Sequence, residues 1–400
     1  MSPLGLAWRW LWSRPTVTAL NLVMLSLGLG AMLLISLVSE QLEHQAGRDL
    51  AGIDLVVGAK GSPLQLILAG VFHIDTPPGN IPAATQAQMA ALPQVASVIP
   101  ISLGDSWQGF RIVGTEASLM ALYEVPLAEG RAWSAPLEAV LGSDVARRTK
   151  AAAGTVFVGS HGLGGGGEAH GDTPYRVVGR LQPCACVLDR LVLTSTESVW
   201  AVHENATALD EEDRAALREE REVTMLLVRY ATPLAAVTMP RWVQAQPGLQ
   251  AAVPALEAAR LFRLLGTGLD VLRGLAAVLL LVAGLSVWVA LVHAVREREP
   301  DLAMLRLLGA PPQRVAAVLV LEALWLALLG VLAGLVLGHG MTALLGWALQ
   351  AERSLSLTGW WWSVQHLWLA GVALGLVGLA VIWPVWRVVR LDVARLLQGG

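Results

Sequence analysis

The stretch REREPDLAMLRLLGAPPQRV, residues 296–315, decides how the chain is organised. It carries four arginines, and long apolar runs lie on either side of it, at 269–293 and 315–337. About 20 apolar residues suffice for a helix to cross a bilayer, whereas charged side chains are costly within the hydrocarbon. The sequence therefore predicts two membrane helices that are joined by a charged loop on one side of the membrane.

The composition supports a membrane protein with a large water-exposed part. Hydrophobic residues make up 55% of the 400 residues and charged residues only 15%, which is too apolar for an ordinary soluble protein. The formal net charge is −3 and no basic stripe is visible, so nucleic acid is excluded as a partner.

Two further spans are predicted, one before and one after this pair. The run 16–38 is too long for the apolar core of a signal peptide, so it is interpreted as a retained membrane helix. A fourth span covers 367–386. Arginines concentrate before the first span, between the second and third, and after the fourth. The positive-inside rule then places both termini and the charged loop on the cytoplasmic side of the membrane, with 39–266 exported.

The exported block lacks an apolar run long enough to cross a bilayer and is predicted to be α+β. Short β segments that are broken by glycine between about 127 and 200 predict a small β-rich unit inserted into it. The predicted fold class is thus a membrane α-helical protein with four transmembrane helices and a large α+β extracytoplasmic domain between helices 1 and 2. The predicted segments are 1–15 (cytoplasmic amphipathic helix), 16–38 (first span), 39–266 (periplasmic domain), 269–293 (second span), 294–314 (cytoplasmic coupling segment), 315–337 (third span), 350–365 (periplasmic loop), 367–386 (fourth span) and 387–400 (cytoplasmic tail).

The charged loop resembles the signature of FtsX-like and MacB-like ABC transporter permeases, and the end of the chain, PVWRVVRLDVARLLQGG (384–400), resembles the end of those permeases. The order of elements agrees over the whole chain. The resemblance implies a homodimeric permease of the type VII, mechanotransmitting kind, which works with a separate ABC ATPase. It also implies a MacB-like outer domain with a porter-like unit and an inserted β-rich unit. It leaves the cargo undetermined.

In this family, the loop after the second span is expected to form a short helix that docks onto the ATPase. The residues support such a helix independently, because Pro300 suits a first turn and Asp301 suits the positive end of the helix dipole. Leucines at spacing three form an apolar face, and Gly309 is a natural stop. The predicted docking residues are Asp301, Leu302, Leu305, Arg306, Leu308 and Gly309.

Catalytic chemistry is not predicted for this chain. A phosphate-binding loop requires the pattern G-x-x-x-x-G-K-[ST], and the glycines around Lys60 lack that spacing. ATP and Mg²⁺ are therefore expected to be bound by the partner ATPase, with no cofactor in this chain. No G-x-S-x-G elbow is present either. Glu322, about two turns inside the third span, is an intramembrane ionisable residue and so a candidate functional group.

A glycine-rich loop offers a weak metal-binding pattern. His161, Glu168 and His170 place two imidazoles and a carboxylate on one stretch, and zinc accepts such ligands. A mobile loop is the competing interpretation. The only cysteines, Cys184 and Cys186, face an oxidising compartment if exported; free thiols, a labile disulfide and a metal contact all remain open.

The function that the resemblance implies is transmission of ATPase-driven movement to the periplasmic domain, for export or extraction of a substrate. Lipoproteins, peptides, small molecules and metal-related cargo are candidate substrates, and a periplasmic adaptor or substrate-binding protein is a candidate partner. The alternative is a signalling scaffold that activates a periplasmic partner without moving cargo. An importer with a true pore is disfavoured, because polar residues are scarce in spans two to four.

Overall fold

A computed structural model describes residues 2–162, 173–207, 210–307, 309–351 and 357–390. The chain separates into two compact units. The membrane unit comprises 1–41 and 265–400, and the outer unit comprises 42–264.

Helices and strands alternate along the outer unit, whereas the membrane unit is helical. The helices are α1 (Pro3–Leu11), α2 (Pro15–Asp49), α3 (Pro63–Gly70), α4 (Ala84–Ala90), α5 (Ser118–Leu122), α6 (Ser143–Thr149), α7 (Thr196–Thr207), α8 (Glu211–Glu219), α9 (Ala235–Gln244), α10 (Pro254–Glu297), α11 (Glu299–Leu307), α12 (Pro312–Ala351) and α13 (Val364–Val389). The strands are β1 (Leu55–Ala59), β2 (Ile81–Pro82), β3 (Val95–Trp107), β4 (Phe110–Thr115), β5 (Leu127–Gly130), β6 (Glu138–Leu141), β7 (Val156–Phe157), β8 (Ser160–His161), β9 (Tyr175–Leu181), β10 (Val192–Ser195), β11 (Glu222–Val223), β12 (Met225–Tyr230) and β13 (Leu249–Ala252).

Four helices among the described residues are long and apolar enough to cross a membrane: α2, α10, α12 and α13. The predicted fold class is confirmed, since a mixed α/β unit lies between the first and second of them. Three of the helices run well beyond the apolar runs in the sequence; α2, for example, continues to Asp49. Hydropathy marks the part of a helix suited to lipid, but the backbone hydrogen bonds of the helix continue into water.

Glycines spaced four residues apart bring α12 against α2. Gly330, Gly334 and Gly338 lie beside Leu25, Leu29 and Leu33, which are also spaced by four and are fully buried. Residues at this spacing share one face of a helix. Since lipid tails are as apolar as leucine, membrane helices associate through close packing at small residues rather than through the hydrophobic effect. This glycine–leucine ladder thus packs α12 closely against α2.

The outer unit is organised around one continuous path of hydrogen-bonded strands, in the order β13-β1-β12-β3-β4-β10-β6-β9-β5. β7 pairs with β9 and β8 pairs with β3, whereas β2 and β11 form a separate pair. The segment 127–200 supplies β5 to β10 to this arrangement. It extends the main path through a parallel pairing of β10 with β4 instead of folding as a separate sheet.

Both faces of the central strands are covered, which explains their unbroken apolar sequences. In β1, Leu55 and Val57 belong to one hydrophobic cluster and Val56 to the other. In β12, Leu226 and Leu227 divide in the same way. Successive side chains of a strand point to opposite faces, so a strand that is buried on both sides reads as continuously hydrophobic.

A histidine of the outer unit is enclosed beside arginines. The pKa of His73 is lowered from 6.5 to about 3, chiefly because burial disfavours the charged imidazolium and also because Arg111 and Arg190 repel it. Its Nδ1 is buried and has no hydrogen-bond partner among the described residues. Arg111 is itself 6% exposed and donates from Nη2 to the Asp75 carbonyl oxygen over 2.9 Å.

Acid is therefore expected to destabilise the outer unit through His73. The His73 imidazole takes up a proton near pH 6.5 in the unfolded chain and only near pH 3 in the folded chain. The contribution of His73 to the free energy of unfolding is therefore complete above pH 6.5 and is lost as the pH falls towards 3. We expect the urea midpoint of the wild type to fall further between pH 7 and about pH 4.5 than that of His73→Gln. Parallel pH dependences in the two proteins would contradict this assignment.

Candidate functional site: the coupling segment

A short helix, α11 (Glu299–Leu307), lies in the segment that is predicted to couple to an ATPase. It begins slightly earlier than the sequence suggested, with Pro300 in its first turn, where a missing N–H leaves no hydrogen bond unmade. Gly309 follows the helix with a φ of 91°. That left-handed conformation is costly for other residues and is typical of the position that ends a helix.

Leu302 of α11 packs inside the membrane unit. Leu302 is 1% exposed and belongs to a cluster with Val295 at the end of α10, Val315 and Leu319 on α12, and Val388 on α13. Leu302 therefore anchors the helix to its own bundle. Its expected role as a docking contact stays a prediction.

The exposed side of α11 carries a different residue. Met304 is 63% exposed, and methionine is a flexible side chain that adapts to apolar binding surfaces. Gly309 is also exposed, and Arg306 is half-buried. The side chains of Asp301 and Leu305, and the whole of Leu308, lie outside the residues that the structure describes.

Ion pairs attach both ends of the segment 297–299 to the bundle. Glu297 pairs with Arg14, between α1 and α2. Glu299 accepts a hydrogen bond from Nη2 of Arg387 on α13 over 3.3 Å. Opposite charges of adjacent elements thus meet at the coupling segment, in addition to the apolar contacts of Leu302.

Glu322 finds its partner in the same place. Its carboxylate, on α12, pairs with Nη1 of Arg298 at 3.1 Å, and both side chains are about nine-tenths buried. The sequence singled out Glu322 as an intramembrane acid but gave no indication of Arg298 as its partner. The sequence does contain a signal that could have found it. Arg298 follows the second span and Glu322 lies near the start of the third, so both are close to the loop that joins the two spans.

The candidate metal loop lies mostly outside the described residues. Glu168 and His170 fall in the stretch 163–172, and of His161 only the backbone, in β8, is described. Among the residues that the structure does describe, no cluster of three or more histidine, cysteine or acidic side chains is arranged to hold a metal ion. Zinc binding by this loop stays a prediction.

Cys184 and Cys186 are joined in a disulfide bond. The loop they form is organised by Asp189, which is 7% exposed and accepts hydrogen bonds from the backbone N–H groups of Cys184 and Ala185 at 3.1 and 2.7 Å. The Ser143 hydroxyl donates to the same carboxylate over 2.8 Å. Three donors from two segments thus converge on one buried side chain, and the positive φ of Ala185, 51°, closes the turn.

Two family profiles match the chain. The MacB-like periplasmic core domain matches residues 18–237, and the FtsX-like permease C-terminal domain matches residues 273–393. No curated protein matches the chain significantly.

Two solved structures resemble about half of the chain each, at low sequence identity. The periplasmic region of MacB from Actinobacillus actinomycetemcomitans is 10% identical, with a TM-score of 0.36; the match covers 53% of this chain and 95% of that one. The extracellular domain of the noncanonic ABC-type transporter YknZ from Gram-positive bacteria is 11% identical, with a TM-score of 0.31; the match covers 50% of this chain and 98% of that one.

The two profiles occupy the positions that the architecture requires. The periplasmic core profile begins in the first span and covers most of the outer unit, whereas the permease profile covers α11 and the last spans. Because the first of them spans more than half of the chain, this multi-pass membrane protein with a large extracellular domain belongs to the family of FtsX-like, MacB-like ABC transporter permeases.

Proposed function

We propose that the chain is the mechanotransmitting permease subunit of an ABC transporter. Members of its family work with ABC ATPase partners. In this proposal α11 receives the movement of the ATPase at the cytoplasmic face of the inner membrane. The transmembrane helices of a homodimer pass the movement to the periplasmic domains, which export or extract a substrate such as a lipoprotein, a peptide or a small molecule.

The observation that carries the proposal is the way α11 is attached. Its apolar residue Leu302 is enclosed by α10, α12 and α13 together, and Glu299 pairs with α13. A short helix that contacts three membrane helices at once cannot be displaced without moving them, because packed interiors resist deformation. The exposed Met304 meanwhile leaves one side of the helix accessible to a partner.

The test is a substitution on the accessible side. Met304→Asp is expected to reduce the amount of co-expressed ABC ATPase that copurifies with the permease at least tenfold. The reason is that a charge within an apolar contact is desolvated without a partner. Met304→Leu, which conserves volume and polarity, should retain the ATPase. Size-exclusion profiles of both variants should match that of the wild type, because Met304 is exposed.

Retention of the ATPase by Met304→Asp would show that this side of α11 is not the docking surface. The signalling alternative is distinguished in vesicles that contain the complex. Stimulation of ATP hydrolysis by a candidate cargo supports transport, whereas stimulation only by a periplasmic protein supports a scaffold.

A further inference from the structure

We propose that Arg298 is a positioning residue that fastens the N-terminal helix α1 to the coupling segment and to α12, so that α1 moves with α11 as part of the driven unit. The mechanical consequence rests on the proposed function, whereas the fastening itself can be measured without an ATPase.

Arg298 uses its guanidinium group in several directions. Nη1 contacts both carboxylate oxygens of Glu322, at 3.1 and 3.4 Å. Nη2 donates to the carbonyl oxygen of Trp10 at 3.1 Å and to the hydroxyl of Ser13 at 2.9 Å. The guanidinium carbon also lies 4.6 Å from the centroid of the Trp10 ring. One side chain thus connects the α10–α11 junction, α12, and both the end of α1 and the turn after it.

These contacts require an arginine. A guanidinium presents five donors in a rigid planar fork and stacks on aromatic faces, whereas a lysine ammonium is a flexible point charge. Buried ion pairs often contribute little to stability, because desolvation offsets the attraction. The geometry, in which one nitrogen pairs with the acid and the other holds α1, favours a role in orientation over a role in stability.

Apolar contacts place α1 on the same elements. Trp8 packs edge-on against Trp325 of α12, with ring centroids 5.2 Å apart. Trp10 packs against the cluster that contains Leu302 of α11. Ala7 and Leu11 are buried. An amphipathic helix that only lay on the lipid surface would expose its polar side to water and its apolar side to acyl chains; α1 instead packs against the membrane helices.

The fastening is tested by distances between spin labels. The labels are placed at Leu4→Cys on α1, which is 52% exposed, and at Gln313→Cys, an exposed position at the start of α12. Among the described residues no cysteine is free, so the native pair does not compete for label. We expect one narrow distance distribution in the labelled wild type and a distribution at least twice as wide in Arg298→Met.

Arg298→Lys separates fastening from charge pairing. Lysine retains an attraction to Glu322 but cannot replace the fork that reaches Trp10 and Ser13. We expect Arg298→Lys to elute as a monodisperse protein and to show the wide distribution. Ser13→Ala, which removes one of the α1 contacts and no charge, should give an intermediate width. A narrow distribution in Arg298→Met or Arg298→Lys would overturn the proposal.

The coupled readout uses the same variants with the co-expressed ATPase. We expect Arg298→Lys to retain the ATPase and to lose at least fivefold in the stimulation of ATP hydrolysis that assembly with the wild-type permease produces. Unchanged stimulation together with a wide distribution would overturn the mechanical role of α1. Failure of the wild type itself to bind an ATPase would count against the proposed function and leave the label distances as the test of the fastening.

Discussion

Replacing Gly338 by alanine is expected to destabilise the membrane unit, although alanine is the better helix former by about 0.5–1 kcal/mol. A methyl group at this position would lie 2.7 Å from the Cβ of Leu33 and 3.1 Å from the carbonyl oxygen of Gly30. Both neighbours are tightly placed, since the second is backbone and Leu33 is fully buried. Overpacking of this kind costs about 1–3 kcal/mol, which outweighs the gain in helix propensity.

Gly340→Ala supplies the matched control two residues along the same helix. Nothing lies within 4 Å of a methyl group built at Gly340, so only the propensity term remains and stability should be unchanged or slightly raised. The measurement is the midpoint of thermal unfolding of the purified protein in one detergent. If the two variants shifted the midpoint in the same direction and by the same amount, the glycine–leucine ladder would not be the device that holds α12 to α2.

Asp189→Ala is expected to destabilise the outer unit by at least about 2 kcal/mol. The substitution removes the buried carboxylate that accepts from the N–H groups of Cys184 and Ala185 and from the Ser143 hydroxyl, and hydrogen bonds to charged groups contribute about 1.5–3 kcal/mol each. The same loss should loosen the turn that holds Cys184 beside Cys186. Thiol alkylation under denaturing conditions should therefore find a larger reduced fraction in the variant than in the wild type after equilibration in a glutathione buffer.

The control for this substitution is Asp144→Ala on α6. Asp144 pairs with Arg147 at 2.7 Å, one turn along the helix, and surface pairs of this kind contribute about 0–1 kcal/mol. We expect a clearly lower urea midpoint for Asp189→Ala than for Asp144→Ala, when unfolding of the outer unit is monitored by limited proteolysis. Equal midpoints for Asp189→Ala and Asp144→Ala would contradict the assignment of Asp189 as the organiser of the turn.

The membrane architecture could be predicted from the sequence because bilayer thickness fixes a length and charge excludes residues from lipid. The position of α11 followed from Pro300 and Gly309, which act locally on the backbone. What the apolar face of α11 packs against could not be predicted from the sequence. Spacing identifies residues that share a face of a helix, but the sequence does not say whether a partner or the protein itself covers that face, and Leu302 is covered by the protein.

The pairing of strands in the outer unit could not be predicted from the sequence. β4 and β10 pair in parallel although about 80 residues separate them, and local alternation of polar and apolar residues carries no information about which strands become neighbours. The partner of Glu322, Arg298, lies 24 positions away and was not predicted, because only the arrangement of the two spans brings them together. The glycine–leucine ladder was not predicted either, although its four-residue spacings are present in the sequences of both spans.

That ladder limits how the first and third spans can move. Four residues of helix rise about 6 Å, so α2 and α12 regain their fit only after a shift of that size along their axes. Any smaller slide would push leucine side chains over the helix between two glycines. We therefore expect this pair to move axially only in discrete steps, and under the proposed function a small displacement of α11 carries the two helices together, in a fixed register.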